Sequence, residues 1–388
     1  MNTNIPIDTC YLIDTLKDAI RINSVIPREE DLAQFIAAKI RELGLEPQWH
    51  EVSPGRPNVY ASAVLGPVPR FITFTGHLDT VGVAANWPSD PFEPIEKDGR
   101  IYGLGSADMK AGVVCALAAF KALWETADLH PQLGRIGFAA TVDEEGYGSG
   151  ARALLETEYG QSDALLLSEP FYGAPGMRPL PLGMTGKVLL KLIVRGRSSH
   201  ALMTEGVNAV EDAAKIVAAL DQMQLGEHPL IGRGNYSTLK FEGGYKEYSV
   251  VVPEYCEVII SRLTVPGESR QSVVDDLRSV IDSLNLKSAV TIETPPPFYE
   301  PYILDQETPL VQTFDAVYRD TIGREPIWGM PPGITDANIY VTEGGIPTIT
   351  CGPNGNNLHA AGEYVEIATL VPVARMFAET AVRFCSES

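Results

Sequence analysis

Cysteine is sparse in this sequence: five residues among 388, at Cys10, Cys115, Cys256, Cys351 and Cys385. They are scattered, odd in number and never spaced CxxC, which excludes a disulfide framework and a thiolate zinc site and points to a reducing, cytoplasmic setting. Positive charge is also short. Thirty Lys and Arg stand against 50 Asp and Glu, giving a net charge of -20 and a pI of about 4.7. Such a field repels a phosphate backbone, so nucleic acid is excluded as a partner. Long apolar runs are missing as well. Stretches such as AGVVCALAAF extend about ten residues, against the roughly 20 a membrane-spanning helix needs, so no membrane partner is expected. The first 20 residues, MNTNIPIDTCYLIDTLKDAI, lack a basic segment followed by an apolar run and a small-residue cleavage site, so secretion by that route is not indicated.

What is present describes an ordinary globular chain. Hydrophobic residues make up 45% and charged residues 21%, far from the composition of disorder, and the length suggests two or three domains. In the first 50 residues, apolar positions in IDTLKDAIRI and DLAQFIAAKIRELGL recur every three or four residues, which predicts two helices, the second closed by Gly44. The period then shortens. RFITFTGHLD, RIGFAATVDEE and DALLLSEP are apolar runs ending in polar residues and followed by loops or helical patterns such as MKAGVVCALAAFKALWE. That alternation predicts an α/β fold with a mostly parallel central sheet, whose ligands gather where the strands stop. From Thr185 the order becomes strand, helix, two strands, helix, strand, the ferredoxin-like βαββαβ unit, and Pro295-Pro296-Pro297 suits a stiff exit. Residues 185–297 therefore read as a small domain inserted between the two parts of a larger one, 1–184 and 298–388.

Several polar residues stand at the predicted strand ends. His77 and Asp79 in TGHLDT are two apart and share one face of a strand. Asp108 lies in YGLGSADMKAG, Glu144 and Glu145 follow GFAATVD, Glu169 ends DALLLSEP, and His359 sits in CGPNGNNLHAAGEYVEI. Singly, each has an ordinary structural explanation: a strand-end pair, a helix cap, a solvated turn. Together, His77, Asp108, Glu145, Glu169 and His359 are the nitrogen and oxygen donors that zinc and similar divalent ions prefer. Three carboxylates against two divalent cations leave one positive charge, which a hydroxide neutralises, and paired ions about 3.5–4 Å apart make a nucleophile of water at neutral pH. Asp79 then holds the tautomer of His77, and Glu144 is left as general base.

The ordered set GHLDT, GSADMKAG, DEEGYGSG, SEP, GRSSHA and LHAAGEYV resembles the acetylornithine deacetylase, succinyl-diaminopimelate desuccinylase, aminoacylase and glutamate carboxypeptidase family of co-catalytic metallohydrolases, over nearly the whole chain. The resemblance implies a zinc-peptidase-like α/β catalytic domain interrupted by a ferredoxin-like lid that also forms a homodimer. It implies that His77 and Glu169 bind one metal, Glu145 and His359 the other, with Asp108 bridging, Glu144 as base, and a cis Asp108-Met109 peptide. The metals would be zinc, with cobalt or manganese as alternatives. His200 in GRSSHA would reach a neighbouring subunit's site and polarise the scissile carbonyl. Arg262 in VIISRLTVPGES would grip a substrate carboxylate, which its planar fork suits. Thr335 and Asp336 fall where relatives carry a pair near the substrate.

Other candidates lack context. Cys351 has no oxyanion loop or activating partner. GYGSGARALLE lacks the lysine of a phosphate-binding loop and follows repelling carboxylates. His50, His130 and His228 sit in no motif. The expectation is a dimetal hydrolase that cleaves the amide of an N-acyl amino acid or small peptide bearing a free carboxylate. The alternatives are an aminopeptidase-type dimetal exopeptidase and a non-catalytic metal-binding scaffold.

Overall fold

A computed structural model describes residues 5–247 and 249–386. The chain divides into two compact units. One comprises 1–182, 304–330 and 335–388, and the other 183–303 with 331–334.

The larger unit is built on a six-stranded mixed sheet. Its order is Gln48–Ser53, Arg56–Val64, Arg135–Thr141, Phe71–His77, Ala164–Leu167 and Thr348–Thr350. Gln48–Ser53 pairs antiparallel with Arg56–Val64, and Arg56–Val64 antiparallel with Arg135–Thr141, whereas Arg135–Thr141, Phe71–His77, Ala164–Leu167 and Thr348–Thr350 are mutually parallel. The parallel strands are buried on both faces, which explains why they read as continuous apolar runs. Their register is level at the carboxyl ends: His77 pairs with Thr141, and Thr75 with Leu167. The polar residues that follow each strand are thereby delivered to one edge of the sheet.

Helix Lys110–Glu125 is buried almost all round, as its unbroken apolar sequence requires, because it packs against the sheet and also under Thr9–Arg21 and Leu370–Ser386. Gly112 in its first turn is dictated by close approach: a Cβ there would meet the Ser168 carbonyl oxygen at 2.0 Å. The two N-terminal helices form at Thr9–Arg21, capped by the Asp8 carboxylate, and Glu30–Glu42, closed by Gly44 at φ +79°. No helix among the described residues is long and apolar enough to cross a membrane.

The smaller unit has six main elements, with the short strands Glu227–His228 and Gly232–Arg233 between the second and third of them. Strand Gly186–Arg195, helix Ala209–Ala218, strands Asn235–Gly243 and Tyr255–Thr264, helix Arg270–Ser283 and strand Ala289–Glu293 form one antiparallel sheet covered by two helices. The sheet order is Asn235–Gly243, Tyr255–Thr264, Gly186–Arg195, Ala289–Glu293. Strict alternation buries Val188, Leu190, Leu192 and Val194 against Ile216, Val258, Ile260 and Leu277, giving this unit its own core.

Candidate metal centre

Three neighbouring parallel strands build most of the site. Phe71–His77 ends in His77, Arg135–Thr141 runs on to Glu144 and Glu145, and Ala164–Leu167 runs on to Glu169. The loop before Lys110–Glu125 adds Asp108, and a loop near the C-terminus adds His359. The Asp108-Met109 peptide bond is cis, as the resemblance implies.

Asp108 is the centre of the arrangement. Its Oδ1 lies 3.3 Å from His77 Nε2 and its Oδ2 lies 3.3 Å from His359 Nε2. His77 Nε2 also stands 3.7 Å from Glu169 Oε1 and 3.8 Å from Glu144 Oε2, while His359 Nε2 lies 2.9 Å from Glu145 Oε1. Two triads with donor atoms within 4.8 Å result, His77–Asp108–Glu169 and Asp108–Glu145–His359, sharing the one carboxylate. A third grouping of His77, Glu144 and Glu145 overlaps them.

The electrostatics call for cations. Burial first, and then the charge of Glu169, push the Glu144 carboxyl well above the ordinary range; burial and Asp108 do the same to Glu169. Glu169 Oε1 is buried without a hydrogen-bond partner. His77 is the converse case. Burial works to lower it, but the Asp108 contact and the charges of Glu144, Asp79 and Glu169 hold it well above its usual value. His359 is pushed up to about 10 by Asp108 and Glu145. Crowded carboxylates, an orphaned oxygen and two imidazoles aimed at one carboxylate fit a pair of divalent ions.

Asp79 is fully buried and takes two roles. Its backbone carbonyl accepts the His77 Nδ1 proton at 2.9 Å, which leaves the lone pair of Nε2 free to bind a cation, whereas its carboxylate lies farther off, at 3.6 Å. That carboxylate accepts the backbone N–H groups of Glu144 at 3.2 Å and Glu145 at 2.9 Å, and so fixes the acidic turn.

Three groups at the site escape sequence reasoning. Asp143 adopts φ +71°, its carbonyl accepts the N–H groups of Tyr147 and Gly148, and its carboxylate pairs with Arg56 at 2.9 Å. It shapes the turn that aims Glu144 and Glu145. Glu363 receives backbone N–H groups from the Asp108 loop. Lys110 is buried with its Nζ donating to the Ile22 carbonyl at 2.7 Å, and burial pushes its pKa down to about 7. Asp336, noted from its motif alone, is buried beside Thr141 Oγ1 at 3.4 Å, and burial pushes it up to about 7.

The remaining two expected site residues belong to the smaller unit. His200 is exposed, and its Nδ1 accepts the Leu202 N–H at 3.3 Å. Arg262 departs from expectation. Its side chain is 0% exposed, with Nη2 paired to Glu268 and Nη1 donating to the carbonyls of Leu263 and Asn235, so its fork is filled by the protein itself. No substrate contact is assigned to it.

Residues 73–383 match the model of Peptidase family M20/M25/M40. The chain belongs to this family. Membership makes it a metal-dependent hydrolase of amide bonds. The chain is 24% identical to the N-formyl-4-amino-5-aminomethyl-2-methylpyrimidine deformylase of Bacillus subtilis (strain 168), an alignment covering 97% of the chain and 95% of the relative. It is 26% identical to a succinyl-diaminopimelate desuccinylase of Magnetococcus marinus over 92% of the chain and 94% of the relative. Among solved structures, a tripeptidase from Staphylococcus aureus subsp. aureus mu50 superposes with a TM-score of 0.79 at 23% identity, covering 98% of the chain and 100% of the other.

Proposed function

We propose that this family member removes the acyl group from an N-acyl amino acid or a small peptide with a free carboxylate, using two divalent ions, zinc first among them. The observation that carries the reading is the placement of Asp108, whose two oxygens face the two histidines with Glu144 alongside. On this reading His77, Glu169 and Asp108 hold one ion and Asp108, Glu145 and His359 the other. Bound ions of this kind acidify water and polarise a carbonyl oxygen.

The chain's own groups do the rest. Glu144, freed of its excess negative neighbours once the cations are in place, takes the proton of the attacking water and delivers it to the leaving nitrogen, so that the amine departs neutral. Asp79 keeps Nε2 of His77 turned to the centre and holds Glu144 and Glu145 in place through their backbone N–H groups. The smaller unit is read as a ferredoxin-like lid through which two copies of the chain pair, with His200 of one copy donating to the developing oxyanion in the other. Its element order and the exposure of His200 support this. All five cysteines are free thiols, which supports a reducing, cytoplasmic location.

The test is a panel of N-acetyl, N-succinyl, N-formyl and N-carbamoyl amino acids beside free and blocked dipeptides, read by amine release. Cleavage of blocked substrates that vanishes with a chelator and returns with zinc or cobalt supports the reading. Turnover confined to peptides with a free N-terminus would instead make this an aminopeptidase.

A further inference from the structure

Glu363 is 2% exposed and lies four residues beyond His359. Its Oε2 accepts the N–H of Gly105 at 2.8 Å, and its Oε1 accepts those of Ala107 at 2.8 Å and Asp108 at 2.9 Å. Its own backbone carbonyl takes the N–H of Gly103 at 3.1 Å. Directly behind it, Tyr364–Glu366 pairs antiparallel with Arg100–Tyr102, so the two loops leave the same end of one small sheet. Gly105, at φ +75°, lets the backbone curl its N–H groups around the carboxylate. Three backbone N–H groups of the Asp108 loop thus converge on one buried carboxylate, which ties the two loops together.

We propose that Glu363 is a positioning residue that sets the shared carboxylate of Asp108 against His359, and thereby builds the His359 side of the dinuclear centre in advance of metal. The inference rests on the proposed ligand assignment. Without the tie, Asp108 still answers to His77 and Glu169, which strands of the central sheet hold in place. Its spacing to His359 is the quantity released, because His359 sits in a loop at φ +58°, and its side chain is about half exposed. One metal position should therefore suffer and the other be spared.

The test uses the full chain and cobalt(II), whose visible absorption reports each equivalent as it binds. In Glu363→Gln, the amide nitrogen meets an N–H donor, so at most two of the three bonds survive. We expect the first equivalent to bind as in the wild type. The second should weaken about 10–100-fold, the usual cost of losing a group that orients a ligand. On the active substrate kcat should fall with KM nearly unchanged. Glu363→Asp keeps the charge one methylene short, should give the same asymmetry in milder form, and decides the matter if the Gln variant does not fold. Equal weakening of both equivalents, or wild-type binding of both, overturns the proposal. A wild-type chain that binds fewer than two ions would defeat the dinuclear reading itself, an outcome visible before any variant is made.

Discussion

Replacing Glu144 by Gln removes a proton acceptor while keeping the side chain's volume. Glu144 has a side chain 12% exposed and an Oε2 3.8 Å from His77 Nε2, so it stands at the centre. It is not needed for either triad that shares Asp108. A positioned general base contributes about 10²–10⁴ in rate. At about 1.36 kcal/mol per tenfold, that loss corresponds to roughly 2.7–5.4 kcal/mol of transition-state stabilisation. The overlapping group of His77, Glu144 and Glu145 gives the experiment its second arm, because a ligand and a base respond differently. Steady-state kinetics and elemental analysis on the same preparation separate them. We expect Glu144→Gln to keep two ions per chain, with kcat down at least about 100-fold and KM little changed. A variant that keeps more than a tenth of wild-type kcat would refute the assignment of the base. A variant that loses an ion along with its activity would make Glu144 a ligand.

Other perturbations follow from the same geometry. Asp108→Ala removes a donor from both triads, and the dialysed protein should hold less than one tightly bound ion; retention of two would place the centre elsewhere. Asp79→Asn keeps the backbone carbonyl that holds His77 but weakens acceptance of the Glu144 and Glu145 N–H groups, and metal affinity should fall about 10–100-fold while His77 keeps its tautomer, as followed by imidazole NMR. Gly112→Ala drives a Cβ into the Ser168 carbonyl, and the cost should be about 1–3 kcal/mol, read as a lower Tm. In the smaller unit, burial alone would raise the Asp212 carboxyl, but Lys215 Nζ at 2.8 Å and the backbone N–H groups of Ser288 at 2.9 Å and Lys287 at 3.1 Å hold it below its usual 3.8. A folded pKa below the unfolded one gives stability that is full above the unfolded value and disappears as pH falls through the folded one. Asp212→Asn should therefore lower Tm at pH 7 and lose that effect as the pH falls below 3.8 and through the depressed folded pKa. A gap that stays constant across that range would contradict the linkage.

The antiparallel strands Gln48–Ser53 and Arg56–Val64 of the larger sheet were not legible in the sequence, whereas three of its parallel strands were, because they are buried on both faces. Burial forces them to be apolar throughout, so His77, Glu144, Glu145 and Glu169 stand out where those runs stop. Asp108 and His359 were legible only through their motifs, since glycine-rich loops have no period to read. Asp143 and Glu363 stayed hidden for a different reason. Each works by accepting backbone N–H groups, and a backbone donor has the same identity in every residue, so no side-chain pattern announces the partner. Arg262 shows the opposite failure. A lone arginine on a strand looked available, yet the turn that follows returns Glu268 to its guanidinium, a pairing only the folded hairpin-to-helix path reveals.

The central claim is that one carboxylate, that of Asp108, is shared between two metal positions. Anomalous X-ray scattering from crystals of the zinc-loaded chain tests it directly. The account predicts two peaks about 3.5–4 Å apart, one touching His77 and Glu169, the other Glu145 and His359, with Asp108 between them. A single peak, or two peaks of which neither contacts Asp108, would contradict it.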